Sequence, residues 1–301
     1  MVSVNSREDK LNERDTGGNK ITVELVTNGS IELCKSDIEK ITQVKDLLPY
    51  GTSVYIPALP KQNLVASIPC IARLYEAGFD PVPHIAARRI PSRKELQEYL
   101  DKIVKDYGVH RVLLIGGDIT KPIGPYKDSL AILKDGILEY TGIREIGIAG
   151  YPENHPRIPA DVLKIAFEEK LELAAKIGLS SYIVTQFCFS PSHIVDYCAA
   201  LAHTNPNTPV YVGMAGPTDL AKLFRYARIC GVSASILGLK SLGFKAVQLV
   251  SHTEPNEQLA VLAKYCAARD RCNVIGVHIF SFGSIVESAR WMHSKFSQVN
   301  R

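Results

Sequence analysis

The feature that most restricts how this chain can fold is an alternation, repeated eight times, of short runs rich in β-branched residues with longer stretches of helical spacing. Parallel strands need a crossover long enough for a helix, so such alternation builds a parallel sheet with helices over it. The runs read as strands are Ser30 to Leu33, Ser53 to Pro57, Pro81 to His84, Val112 to Ile115, Ile146 to Ala149, Tyr182 to Gln186, Val210 to Met214 and Ile275 to Phe280. Open doubly wound sheets usually have about five or six strands, whereas eight units of roughly 25 to 35 residues close on themselves. The expected fold is α/β, a parallel (β/α)8 TIM barrel.

Several connecting stretches carry their own boundaries. SRKELQEYLDKIVKDYG places Leu96, Leu100, Ile103 and Val104 on one face, with Ser92 as a cap before the first turn. ADVLKIAFEEKLELAAKIG stops at Gly178 and TDLAKLFRYARICG at Gly231, as C-terminal glycines predict. The seventh interval, of about 60 residues, must hold two or three helices, EPNEQLAVLAKYCAARD among them. ITVELVTNG, before Ser30, reads equally as a short strand or a helix end. Residues 1–19 are charged and aperiodic and are expected to be a disordered tail, leaving 20–301 as one barrel domain without an internal linker.

Composition narrows the partners. Thirty-five basic and 31 acidic residues give a net charge of +4 with no basic run long enough to track a phosphate backbone, so nucleic acid is not expected and an anionic small molecule is. Seven cysteines without a C-x-x-C pair, and polar residues after Met1, lead to the expectation of a cytoplasmic protein. No stretch approaches the roughly 20 apolar residues that span a bilayer. Self-association into a homo-oligomer is compatible with the sequence.

A barrel of this kind assembles its site where the strands end. Those ends read Glu32; Tyr55 and Pro57; His84 with Arg88; Gly116, Gly117 and Asp118; Tyr151 to Pro156; Thr185, Gln186 and Phe187; Gly213 to Pro217; and His278, Phe280 and Phe282. No metal site is expected, because the histidines sit on different strands without close carboxylate or thiolate spacing and H-E-x-x-H is absent. G-x-G-x-x-G is absent too, so a nicotinamide cofactor would not bind through a Rossmann unit.

PVPH, GGD, GYPENHP, VTQFCF and HIFSFG follow one another across Ser30 to Phe282. In order and spacing the set resembles the methylenetetrahydrofolate reductase family, in a short, divergent bacterial form without the regulatory domain of the larger enzymes. GYPENHP followed about 30 residues later by TQF is the specific part; GGD or PVPH alone means little. The resemblance implies FAD at the barrel mouth, NADH or NADPH as reductant, and hydride transfer to methylenetetrahydrofolate, giving methyltetrahydrofolate.

It also implies roles. Glu32 falls at the general acid, with Glu24 a rival for the slot; a carboxyl can protonate the leaving nitrogen only if its pKa rises well above about 4.3. Asp118 contacts the pterin and tunes the flavin, after Gly116 and Gly117 let the backbone approach a ring closely. Gln186 reads the pterin edge, since an amide both donates and accepts, while Thr185 packs. His84, Tyr151 and His155 touch the flavin, and Lys170 reaches its diphosphate if one helical turn is inserted after His155. Lys222 and Tyr226, one turn apart, face the substrate.

The departures from the family pattern matter equally. An arginine before the Gly-Asp pair is here Gly116, an arginine beside the phosphate-binding lysine is Glu169, and a late arginine after the eighth strand gives way to Gly283 or Ser284. Each lost charge-assisted hydrogen bond costs roughly 1.5 to 3 kcal/mol, about tenfold or more in affinity. A flavin-independent folate reductase, a tetrahydrofolate-dependent methyltransferase and a non-catalytic folate-binding barrel therefore stand as alternatives.

Overall fold

A computed structural model describes residues 18–59, 62–230, 232 and 254–297. Eight parallel strands, β1 (Ser30–Glu32), β2 (Ser53–Ile56), β3 (Asp80–Ala86), β4 (Arg111–Ile115), β5 (Glu145–Gly150), β6 (Ser180–Thr185), β7 (Val210–Ala215) and β8 (Val274–Phe280), pair in sequence order, and β8 returns to β1 to close the barrel. The ends of the eight strands lie within two residues of those read in the sequence. The helices are α1 (Ile41–Val44), α2 (Ile68–Glu76), α3 (Arg93–Tyr107), α4 (Ser129–Asp135), α5 (Ala160–Lys176), α6 (Pro191–Thr204), α7 (Leu220–Cys230), α8 (Asn256–Ala267) and α9 (Ile285–Phe296).

Local chemistry sets these boundaries. Ser92 Oγ accepts from the Glu95 N–H at the start of α3, and Gly108 closes that helix in the left-handed region at φ 63°. Gly178, at φ 78°, follows α5 in the same way. ITVELVTNG resolves as helix: residues 18–27 are helical, so the expected tail is shorter at its inner end, and its residues 1–17 lie outside those described. The chain remains helical there because Leu25 and Val26 fall together on a buried face. Of the long seventh interval, α7 and α8 are seen; Gly231 and residues 233–253 lie outside the described residues.

Two cores follow from the period of the strands. Outward residues such as Ile31, Val54, Ile85, Ile146, Ile148 and Ile183 pack with the helices, while Tyr55, Val82, Leu113, Tyr182 and Val184 fill the barrel. Gly147 makes room for these rings: a Cβ there would stand 2.7 Å from Leu113 Cδ1 and 3.0 Å from the Tyr182 ring. At the N-terminal end Arg111 pairs with Asp80 (3.4 Å) and Glu145 (3.2 Å).

Candidate functional site

Glu32 ends β1 beside Tyr55 and Phe280 in register, and its side chain is 13% exposed. Burial pushes its carboxyl up to about 7, because a carboxylate loses hydration that nothing nearby replaces. His84 Nε2 lies 4.0 Å from Glu32 Oε2 and is buried without a hydrogen-bond partner. Burial pulls His84 down to about 3, so the imidazole facing Glu32 is neutral and the 4.0 Å approach is not an ion pair. Glu24 is exposed on the helix before β1, on the side from which the strand enters the barrel, so it does not share this setting.

A second histidine, His278, supports the first pair. Its Nδ1 lies 2.8 Å from Ser30 Oγ, and its ring meets Tyr55 edge-on at 4.5 Å. Burial, then the nearby His84, lowers it to about 3. Tyr55 Oη in turn donates to Tyr182 Oη at 3.0 Å. Cys34 and Cys230, both pushed up to about 12 by burial with the charge of Glu32 adding to it, are neutral thiols near the same carboxyl.

An aromatic group borders the rim. Phe187 meets Phe280 and Phe282 edge-on at 5.4 and 5.1 Å, and Tyr226 stacks on Phe282 at 4.8 Å with 25° between planes. Phe282 takes φ 50°, a costly backbone for a bulky residue that its packing neighbours must offset. Lys222, by contrast, turns back to Asp219 at 3.2 Å, so the expected Lys222 and Tyr226 pair is divided between a surface ion pair and the aromatic group.

Asp118 and Gln186 stand at the ends of β4 and β6. Arg89 Nε donates to Asp118 Oδ1 at 2.7 Å on an exposed surface. Gln186 Oε1 accepts from the Phe187 N–H at 3.0 Å, leaving the amide NH2 for another partner. No hydrogen bond joins Glu32, Asp118 and Gln186 to one another among the described residues. Thr185 is buried and also accepts the Gly213 N–H at 2.8 Å, so it bonds as well as packs.

A cavity of about 650 Å³ runs from Ile115, Gly116 and Ala149 to Tyr151, Lys127 and Lys170, within the range of small-molecule sites. Tyr151 and His155 contact edge-on at 5.0 Å. His155 is lowered by burial, then by Arg157 and Arg88. Lys170 is lowered by burial, partly opposed by Asp128. It makes no ion pair among the described residues, whereas neighbouring Glu169 turns outward to Lys134 at 3.1 Å.

Arg88 has a neighbour that the sequence did not disclose. A Cβ on Gly116 would lie 3.4 Å from Arg88 Nη2, and that guanidinium donates to the Gly117 carbonyl while its Nε stays buried without a partner. Arg88, in the 3-10 turn that follows β3, thus brings a guanidinium beside position 116 at the end of the neighbouring strand. The signal available was the basic doublet Arg88 and Arg89 directly after a strand end.

No helix among the described residues is long and apolar enough to cross a membrane. In comparisons with known proteins, 84 residues of the chain are 30% identical to methylenetetrahydrofolate reductase 2 of Saccharomyces cerevisiae, covering 28% of this chain and 14% of that protein. Among solved structures, 3-dehydroquinate dehydratase from Aquifex aeolicus VF5 matches with a TM-score of 0.47 and 11% identity, over 91% of this chain and 99% of that one. Type I 3-dehydroquinate dehydratase from Clostridium difficile matches with a TM-score of 0.38 and 8% identity, over 62% and 74%. The fold assignment rests on the closed strand order rather than on these likenesses. A family model described as methylenetetrahydrofolate reductase matches residues 12–237, well over half of the sequence, and on that extent the chain belongs to the methylenetetrahydrofolate reductase family.

Proposed function

We propose that the protein reduces 5,10-methylenetetrahydrofolate to 5-methyltetrahydrofolate with FAD as the bound cofactor and NADH or NADPH as the reductant. The observation that carries this reading is Glu32, a nearly buried carboxyl raised to about 7 at the C-terminal end of the barrel. A general acid must hold its proton near the working pH, and the raised value of Glu32 supports that role. Glu32 would deliver it to the nitrogen that leaves as the imidazolidine ring opens. His84, kept neutral, adds no charge that would strip that proton away.

The cavity fits a flavin dinucleotide in chemistry. Arg88, Lys127 and Lys170 offer cations for a diphosphate, Gly116 presents bare backbone to a ring, and Arg88 Nε is a buried donor in want of an acceptor. A bound flavin would supply the hydride. The chain's own part is to position the folate: Gln186 with its free amide hydrogens, Tyr226 and Phe282 as stacking surfaces, and Asp118 held by Arg89 at the rim. The flavin-independent alternative draws its support from the absent arginine at 116; Arg88, whose Nη2 would lie 3.4 Å from a Cβ there, supports the flavin-dependent reading instead.

The test is a titration of purified protein with FAD, followed by flavin fluorescence, then turnover with NADH and methylenetetrahydrofolate. Saturable FAD binding and FAD-dependent turnover are expected. Folate-dependent NADH oxidation in protein freed of flavin would overturn the reading.

A further inference from the structure

Outside the large cavity, the structure gathers three side chains of a kind that binds metal. Glu153 on the loop after β5, Cys188 after β6 and His193 in the first turn of α6 have their ligand atoms within 4.8 Å of one another. None of the three lines the cavity proposed for the flavin. Linear spacing hides the set, because Glu153 lies 35 residues before Cys188; only the adjacency of β5 and β6 joins them.

Each ligand is held from a different direction. Asn154, at φ 65°, bends the loop, and its N–H donates to the Tyr151 carbonyl at 3.1 Å, which fixes the Glu153 backbone. Ser190 caps α6, its Oγ accepting from the His193 N–H, so the start of the helix sets His193 at a constant remove from Cys188. Cys188 is buried, with its Sγ 3.0 Å from Glu153 Oε1, while His193 is exposed. The thiol therefore points at a carboxylate oxygen that can share either a proton or a cation with it.

We propose that Glu153, Cys188 and His193 form a three-ligand site for Zn2+, with the fourth position open to water or an anionic donor. Thiolate, imidazole and carboxylate together match a borderline-soft ion with no demand for octahedral geometry, and three protein ligands plus one open position is the arrangement of non-structural zinc sites. With Zn–S of about 2.3 Å and Zn–N of about 2.0 Å, tetrahedral donors stand about 3.5 Å apart. Rotation of the exposed His193 side chain closes the difference. On binding, the Cys188 S–H bond breaks, the sulfur takes the metal, and the proton leaves to solvent, so affinity rises with pH.

The test uses Co2+ as a spectroscopic stand-in for Zn2+ on the full chain, reduced and freed of metal. One equivalent of Co2+ is expected to produce a thiolate-to-metal charge-transfer band that Zn2+ then displaces. The band disappears in Cys188→Ser, and His193→Ala and Glu153→Gln weaken binding by at least about tenfold, the least that disturbing a metal site's immediate surroundings costs. The two latter variants alter side chains that are not buried, so they report on binding without relying on the buried cysteine. Absence of the band, its persistence in Cys188→Ser, or unchanged affinity in His193→Ala would each overturn the proposal. None of these readouts depends on flavin or folate, so failure here leaves the reductase reading untouched.

Discussion

Glu32 carries a pH signature that separates its roles in folding and in chemistry. The folded chain keeps its proton up to about pH 7, whereas the ordinary value is 4.5. The folded state therefore binds more protons between those values, and the stability so contributed is complete below about 4.5 and lost as pH rises through 7. The difference corresponds to about 3 kcal/mol. His84 and His278, lowered to about 3, act in the opposite sense and lose stability as pH falls from 6.5. In Glu32→Gln only the first contribution is gone, so urea unfolding should find the variant and parent alike near pH 4.5 and the variant more stable at pH 8.5. Equal differences at both pH values would contradict the shift. Turnover of the same variant should fall by about a hundredfold to ten-thousandfold, the usual worth of a general acid. Glu32 was legible in the sequence as a polar residue closing a strand; that it is the buried one, and Glu24 the exposed one, required the packing around both.

At the scale of elements, the turn after β3 sets Arg88 beside Gly116 at the end of β4. Arg88→Ala should weaken FAD binding by about tenfold or more, the cost of one charge-assisted hydrogen bond. Gly116→Arg in the parent should not improve binding, because the new side chain starts 3.4 Å from Arg88 Nη2; in the Arg88→Ala background it should recover part of the loss. A fluorescence titration of the four proteins checks this, and tighter binding by Gly116→Arg alone would refute it. The β6 to β7 junction has its own dependence. Register pairing there covers Ile183 with Val210 and Val184 with Tyr211, and beyond it the Thr185 hydroxyl accepts the Gly213 N–H. Thr185→Val strands that buried donor and should cost about 1 to 3 kcal/mol in thermal or urea unfolding. Strand ends were readable from apolar runs and capping residues because those signals are local. Arg88 was not assignable, since its partner belongs to the next strand.

The whole molecule divides stability and chemistry between the two ends of the barrel. Arg111, with Asp80 and Glu145, closes the N-terminal end at 18% side-chain exposure. Arg111→Leu leaves two carboxylates without their cation and should lower stability by about 3 to 5 kcal/mol, while FAD affinity, measured below the melting range, stays as in the parent. A matched loss of FAD affinity would show that the ends are coupled.

What the sequence determined by itself was the fold and the identity of the strand ends. Period, caps and helix-stopping glycines are properties of neighbours in the chain, and eight repeats leave closure as the way to satisfy every strand edge. Tertiary structure decided what those residues are like chemically. Protonation depends on how much water a group loses, which made Glu32 an acid and His84 neutral, and coordination depends on distance in space. That is why the approach of Arg88 to Gly116 and the meeting of Glu153, Cys188 and His193 emerge only once adjacent strands are laid side by side.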